Sequence, residues 1–443
     1  MINRKDVQAI VKGDKRMVRG WVMYDWANSV YQLTIASAIF PIYYNTVTRA
    51  DGNFTVSFFG NPVINTVLYS WAIAAAYLLV AIGSPLFSSM ADYTGRRKGF
   101  MRAFTLIGAI ACGALFFFTD KNHIELGIIA FALGTIGYGG SIVFYNSFLP
   151  VIAEPEDQDR ISARGYSMGY LGGVVLLLFN LLMIMKPGLF GIPAESSLPA
   201  RISFLSVFIW WIAFSQITFS RLPKYTFRKR IKRDSVLTNG YRELRMVFNQ
   251  IRKSYKLSMY LTGFFFMMMG VLTTMFMAAT YGEKEMHLKE DVLIPTILVI
   301  QLVGMLGAWM FARISEKLGN LRALMITIVA WTLTCVGAYF ISNAIEFVIA
   351  AFFIGIVMGG SQSLARSTYS KMLPDDTTDH TSFFSFYDVM EKLATVAGTF
   401  SFGVIEALTG SMRYSVLAIT IFFILSLFFM LLLYRRTRTE SAA

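Results

Sequence analysis

Long apolar runs follow one another along this chain, each about as long as a lipid bilayer is thick, with short polar connections between them. A helix needs roughly 20 apolar residues to cross about 30 Å of hydrocarbon. Inside that layer every backbone polar group must be satisfied within the segment, so runs of this length are read as helices. The pattern predicts twelve spans, near residues 21–46, 64–90, 100–119, 124–149, 166–185, 202–220, 258–280, 292–312, 322–341, 346–372, 383–408 and 414–434. The first run is about 25 residues long, whereas a signal peptide has an apolar core of only about 7–15, so it is expected to be retained as a span.

Composition agrees. Hydrophobic residues make up 55% of the 443 and charged residues only 15%, against about 25% charged in a soluble domain. The formal net charge of +13 would suggest a nucleic-acid partner in a soluble protein. Here the basic residues sit in the loops between spans, and they sit there unevenly. Alternate loops and the two ends hold 32 Lys and Arg, and the opposite loops hold 7. Positive charge marks the cytoplasmic side, so both termini are expected in the cytoplasm, and a bacterial inner (cytoplasmic) membrane is the expected location. The basic run from Arg228 to Arg233 matches a nuclear-localisation pattern, but spans flank it on both sides, so no nucleic-acid partner is expected. Cys112 and Cys335 both fall in apolar runs, which excludes a disulfide framework. His123, His287 and His380 are too scattered to suggest a metal site.

The longest polar connection, 221–257, divides the spans six and six. The expected organisation is an N-terminal six-helix bundle (1–220), a basic cytoplasmic linker (221–257) and a C-terminal six-helix bundle (258–443). In the linker, Leu244, Val247, Phe248 and Ile251 are spaced as on a helix lying along a membrane surface, with a solvated linker as the alternative. The two halves also echo each other. Asp92-Tyr93-Thr94-Gly95 follows the second span, and Glu316-Lys317-Leu318-Gly319 follows the eighth. Gly139-Gly140-Ser141 in span four has a counterpart in Gly359-Gly360-Ser361 of span ten. Parallel six-helix repeats are a transporter architecture, with the binding site near the membrane midplane.

Asp92-x-x-Gly95-Arg96-Arg97-Lys98 after span two resembles the signature loop of the major facilitator superfamily, although Ser88 stands where a Gly is usual. A narrower resemblance covers nearly the whole chain. Tyr24-Asp25-Trp26-Ala27-Asn28-Ser29 leading to Phe40-Pro41-Ile42-Tyr43-Tyr44 is similar to the entry helix of the "unknown major facilitator" family. So are Phe144-Tyr145-Asn146-Ser147-Phe148-Leu149-Pro150 and the stretch from Gly359 to Ser367. That family includes vacuolar amino-acid effluxers linked to autophagy. The resemblance implies an all-α integral membrane protein with the major-facilitator fold, twelve transmembrane helices in two six-helix bundles, and it points to amino acids as cargo. It also implies that Asp92, Gly95, Arg96 and Arg97 form a gating latch. Glu316 and Gly319 repeat that latch in weaker form, because Asn320 stands where an Arg might.

Ionisable residues inside a span are costly, and each is a functional candidate. Asp25 in span one is followed by Asn28, Ser29 and Gln32 at helical spacing, which gives one polar face. That face either lines a cavity or lets Asp25 pair near the cytoplasmic surface. Span eleven holds Asp388, Glu391 and Lys392. Asp388 and Lys392 are four apart and can pair, and the group serves either a coupling proton or a structural ion pair. Span ten carries Gln362 and Arg366, whose planar fork suits a carboxylate, with snorkelling to headgroups as the alternative. Tyr145 and Asn146 close span four.

No Gly-Lys-Ser/Thr phosphate loop, nucleophile elbow or zinc-protease motif is present, so neither an enzyme nor a cofactor is expected. The sequence reads as a monomeric secondary transporter in the lipid bilayer. It would move a small polar solute by alternating access, first an amino acid, in the export direction and with proton coupling. Substrate contacts are expected from Asp25, Asn28, Gln32, Tyr145, Asn146, Gln362 and Arg366. Coupling or gating is expected from Asp388, Glu391, Lys392, Asp92, Gly95, Arg96, Arg97, Glu316 and Gly319. A lipid flippase on the same fold and a non-transporting membrane sensor are the other readings.

Overall fold

Apolar runs of this length have one way to satisfy their backbone in lipid, and the chain takes it almost everywhere. The computed structural model describes residues 11–48, 55–193, 196–224, 236–288, 290–374, 377 and 379–442. The basic run Arg228–Arg233 lies outside the described residues. The helices are α1 (Lys15–Val30), α2 (Phe40–Thr48), α3 (Asn65–Thr94), α4 (Arg97–Ala114), α5 (Ile124–Asn146), α6 (Leu149–Ile152), α7 (Gln158–Met185) and α8 (Leu198–Arg221). They continue with α9 (Val236–Lys253), α10 (Tyr255–Lys284), α11 (Glu290–Leu318), α12 (Asn320–Tyr339), α13 (Ala344–Met372), α14 (His380–Thr409) and α15 (Met412–Ala442).

Ten helical stretches among the described residues are long and apolar enough to cross a membrane on those two properties alone. Two predicted spans fall outside that set, each for a physical reason. The first is interrupted, because a π-helix from Tyr31 to Ile39 separates α1 from α2. The other, α14, carries Asp388, Glu391 and Lys392 along its length. Several helices begin earlier than their apolar runs do. α1 starts at Lys15, where the Asp14 carboxylate accepts the Arg16 amide at 2.8 Å. α7 starts at Gln158, eight residues before the predicted span. Polar first turns remain helical outside the hydrocarbon, where water and caps satisfy their free amides.

A hairpin that the apolar pattern does not announce joins α2 to α3. Strands β1 (Thr55–Phe58) and β2 (Asn61–Ile64) are antiparallel, with Thr55 opposite Ile64 and Phe58 opposite Asn61. Phe59 and Gly60 at its tip both have positive φ, as a tight two-residue hairpin turn requires.

The chain forms two compact units. The first contains Asp14–Asn146 and Met168–Arg230, and the second contains Val11–Gly13, Ser147–Ser167 and Ile231–Ala443. Within the first, α5 meets α4 where Gly137 lies against Gly108, so closely that a Cβ on either would strike its neighbour. Within the second, α13 meets α11 in the same way. A Cβ on Gly359 would strike the Gly304 carbonyl, and one on Gly307 would strike the Ile356 carbonyl. Small residues at helix crossings let backbones touch, which supplies dispersion energy where lipid removes the hydrophobic drive. Trp331 of α12 stacks on Phe423 of α15 at 5.5 Å.

The second unit includes Ser147–Ser167, which holds α6 and the first ten residues of α7. Ala163 packs with Ala308 and Ala312 of α11, and Tyr166 lies against them. The Gly13 amide donates to the Ile152 carbonyl at 2.8 Å.

Candidate functional site

In the first unit the polar face of α1 meets the end of α5. Asp25 is 6% exposed and accepts a 2.6 Å hydrogen bond from the Tyr145 hydroxyl. Trp21, one turn earlier, stacks on the Tyr145 ring at 4.5 Å and donates its indole N–H to the Tyr145 carbonyl at 2.8 Å. Tyr24 shares a 2.6 Å hydrogen bond with Thr105 of α4. The carboxylate therefore sits in an aromatic wall, with one tyrosine proton pointed at it. Gly169 of α7 makes room for this face, since a Cβ there would come 2.5 Å from Ser29 Oγ and 3.4 Å from Asp25 Cβ.

Asn28, three residues on, is 1% exposed, and its side-chain N–H₂ has no hydrogen-bond partner among the described residues. A buried donor left unmade costs about 1–3 kcal/mol, so this amide is a place where a solute could bond. Asn146 is buried at the end of α5. Gln32 is half-buried. It lies in the π-helix, and its carbonyl accepts the Ser37 hydroxyl five residues on at 2.8 Å.

The signature loop lies in the same unit. Asp92 in the last turn of α3 pairs with Arg97 at the start of α4, at 2.7 Å and buried on both sides. Gly95 between them ends α3 at φ +68°, a conformation that costs most residues a clash with their own Cβ. Lys98 donates to the Phe219 and Leu222 carbonyls at 2.9 and 2.7 Å, at the C-terminal end of α8, where a cation offsets the helix dipole. Arg96 is exposed, while Arg97 and Lys98 make the contacts just described.

In the second unit Arg366 of α13 is fully enclosed at 2% exposure. Its Nε donates to Ser162 Oγ at 2.9 Å, an Nη2 donates to the Ser162 carbonyl at 2.8 Å, and the guanidinium lies 4.2 Å over the Tyr166 ring. Arg366 is therefore not snorkelling. Gln362, one turn earlier, donates to the Met275 sulfur at 3.6 Å. On α14, Lys392 lies 3.1 Å from Asp388 and 3.2 Å from Glu391, and only Glu391 has appreciable exposure. Tyr387, one residue before Asp388, stacks on Phe264 of α10 at 4.1 Å. Thr395 and Thr399 bond back to carbonyls of their own helix.

The repeat of the signature loop is built differently. Glu316 is exposed and Gly319 turns the chain at φ +83°. Asn320, in the place of an arginine, instead donates to Asp159 at 2.6 Å. Asp159 also accepts from Ser315 Oγ and from Lys371 Nζ, each at 2.8 Å, and Lys371 donates to Asn320 Oδ1 at 2.9 Å. Sequence reasoning missed Asp159 and Ser162 because it read 151–165 as loop. The available signal was an acid followed by Ser162 at helical spacing ahead of an apolar run.

The node at Asp159 leads to a prediction. Asp159→Asn removes the charge that Lys371 neutralises, at a cost of about 1.5–3 kcal/mol for a charged hydrogen bond. Amides in 147–167 are then expected to exchange roughly 10–100-fold faster in hydrogen-exchange mass spectrometry, while amides of α12 and α15 keep their protection. Unchanged exchange in 147–167 would mean that the node holds nothing in place.

Comparison with known proteins agrees with this architecture. A family model described as "Vacuole effluxer Atg22 like" matches residues 13–443. The MFS-type transporter YxiO of Bacillus subtilis is 26% identical, over 97% of this chain and 98% of its own length. Autophagy-related protein 22 of Kluyveromyces lactis is 23% identical, over 93% of this chain and 92% of its own. Among solved structures, the human organic anion transporter MFSD10 superposes with a TM-score of 0.74 at 13% identity, covering 95% of this chain and all of that one. The fold is that of the major facilitator superfamily.

Proposed function

This chain belongs to the vacuole effluxer Atg22-like family, a multi-pass membrane protein of the major-facilitator transporter class, and we infer that it exports amino acids by alternating access in exchange for protons. The observation that carries this reading is the set of opposite charges enclosed in the second unit. Arg366 offers a planar fork suited to a carboxylate, and Glu391, more exposed than Asp388 or Lys392, suits an ammonium group. A zwitterion needs both. Export is supported by the word "effluxer" in the family's description. The cytoplasmic membrane of a bacterium, with both termini on the cytoplasmic side, is supported by the charge bias of the loops and by the Bacillus subtilis relative.

In this reading Arg366 exchanges partners. Ser162 occupies its fork when Ser147–Ser167 is seated on α11 and α13, and the solute carboxylate takes the same donors when that segment lifts. Asp25 carries the coupling proton, with the Tyr145 hydroxyl stabilising its charged form. Asp92, Arg97, Asp159 and Lys371 hold the cytoplasmic ends of the helices in register.

Full-length protein in proteoliposomes with an imposed pH gradient tests this. A labelled amino acid is expected to accumulate against its gradient, and transport confined to sugars or organic anions would overturn the substrate assignment. Asp25→Asn is expected to cut gradient-driven accumulation about tenfold or more, the equivalent of one charged hydrogen bond. Exchange of labelled for unlabelled solute without a gradient should survive. Equal loss of both would make Asp25 a substrate ligand instead.

A further inference from the structure

Helix α9 has two unlike faces. Val247 and Ile251 are buried and bind it to the second unit. The turn into α10 is a built corner: the Ser254 hydroxyl accepts the Leu257 amide at 3.3 Å, and Ser258 donates to the Ile251 carbonyl at 2.8 Å. Other described side chains of the helix are exposed. Tyr241 is 65% exposed and Phe248 is 48% exposed, and Arg242, Arg245, Arg252 and Lys253 are all exposed. On a helical wheel these six side chains occupy one continuous arc opposite Val247, with the two aromatic rings at one edge and the four cations beyond them.

We propose that this arc of α9 docks on the anionic lipid headgroups of the membrane that holds the protein. The charge on the arc selects the partner, because arginine and lysine beside half-exposed aromatic rings match a negatively charged leaflet. There the cations meet phosphates and the rings enter the headgroup layer. A purely solvated helix would have no use for an aromatic ring as exposed as Tyr241. The contact also has a route inward. Phe248 packs on Phe386 of α14 at 5.9 Å, two residues before Asp388, so leaflet charge bears on the helix that carries the enclosed ion pair. This inference rests on α9 alone and stands whichever solute is carried.

Full-length Met246→Cys, labelled with a nitroxide in nanodiscs, tests it; the native Cys112 and Cys335 are buried and should not take the label. Adding phosphatidylglycerol to phosphatidylcholine discs is expected to lower the label's collision rate with an aqueous nickel complex and raise it with oxygen. With four cations involved, the docked position of α9 should be favoured about tenfold or more in the anionic discs. High salt and the exposed-surface variant R242Q/R245Q/R252Q/K253Q should both abolish the change. Identical accessibility in the two kinds of disc, an unaltered response in the variant, or equal protection by inorganic phosphate in solution would each overturn the proposal.

Discussion

Lys392→Met is expected to destabilise the folded protein by about 3–5 kcal/mol, the cost of removing one partner from an enclosed ion pair. Lys392 is nearly sealed and lies within 3.2 Å of two carboxylates, one of them almost fully buried. Methionine keeps much of the side-chain volume, so a drop in stability reports the lost charge. The companion variant Asp388→Asn/Lys392→Met removes the buried carboxylate together with the cation and should recover most of the loss, because the carboxylate that remains, Glu391, is partly exposed and can be solvated. Unfolding in detergent, followed by tryptophan fluorescence, gives both numbers. If the double variant is as stable as the parent and transports as well, the pair is structural. If stability returns and proton-driven flux does not, the pair belongs to coupling. A single variant as stable as the parent would show that Lys392 is not paired in solution.

Gly359→Val should have an effect of similar size by a different route. The Cβ of any residue there would run into the Gly304 carbonyl and come 3.0 Å from the Ala308 amide nitrogen. Both obstacles are backbone, so no side chain can swing aside. Overpacking of an interior commonly costs about 1–3 kcal/mol, and a branched side chain against rigid backbone belongs at or above the top of that range. The expected result is a large loss of folded protein after solubilisation. Gly403→Val is the control, because nothing lies within 4 Å of a Cβ there. It should express and unfold like the parent. Equal behaviour of the two variants would mean that α11 and α13 are not in contact as described.

The spans could be read from the sequence because lipid imposes one local rule, and a run of twenty apolar residues satisfies it without reference to any partner. The same rule explains where the reading was coarse. α1 and α14 carry polar residues, and polar residues are what weaken a hydropathy signal. Asp388 and Lys392 could be paired from their spacing, since both stand on one helix. Asp159 could not be placed, because Ser315, Asn320 and Lys371 are 156, 161 and 212 residues away, and no local pattern encodes such a meeting. Ser162 and Arg366 were separated for the same reason. The signature loop was recognisable, but its motif does not say that Arg97 turns inward to Asp92 while Arg96 stays outside.

The wide turns from Tyr31 to Ile39 bear on how the first span can be altered. Along an α-helix each residue advances the azimuth by a constant step, so the facing of one side chain fixes the facing of all others. A π-helical stretch takes a smaller step, and the difference accumulates along nine residues. Asp25 and Asn28 on one side of that stretch, and Phe40, Tyr43 and Tyr44 on the other, are therefore set by separate azimuths on a shared axis. The span works as two screws of one pitch, offset from each other by the coarser thread between them. The aromatic half can keep its grip on α5, where Phe40 stacks on Phe131 at 4.7 Å, while the acidic half keeps its own bearing toward Tyr145.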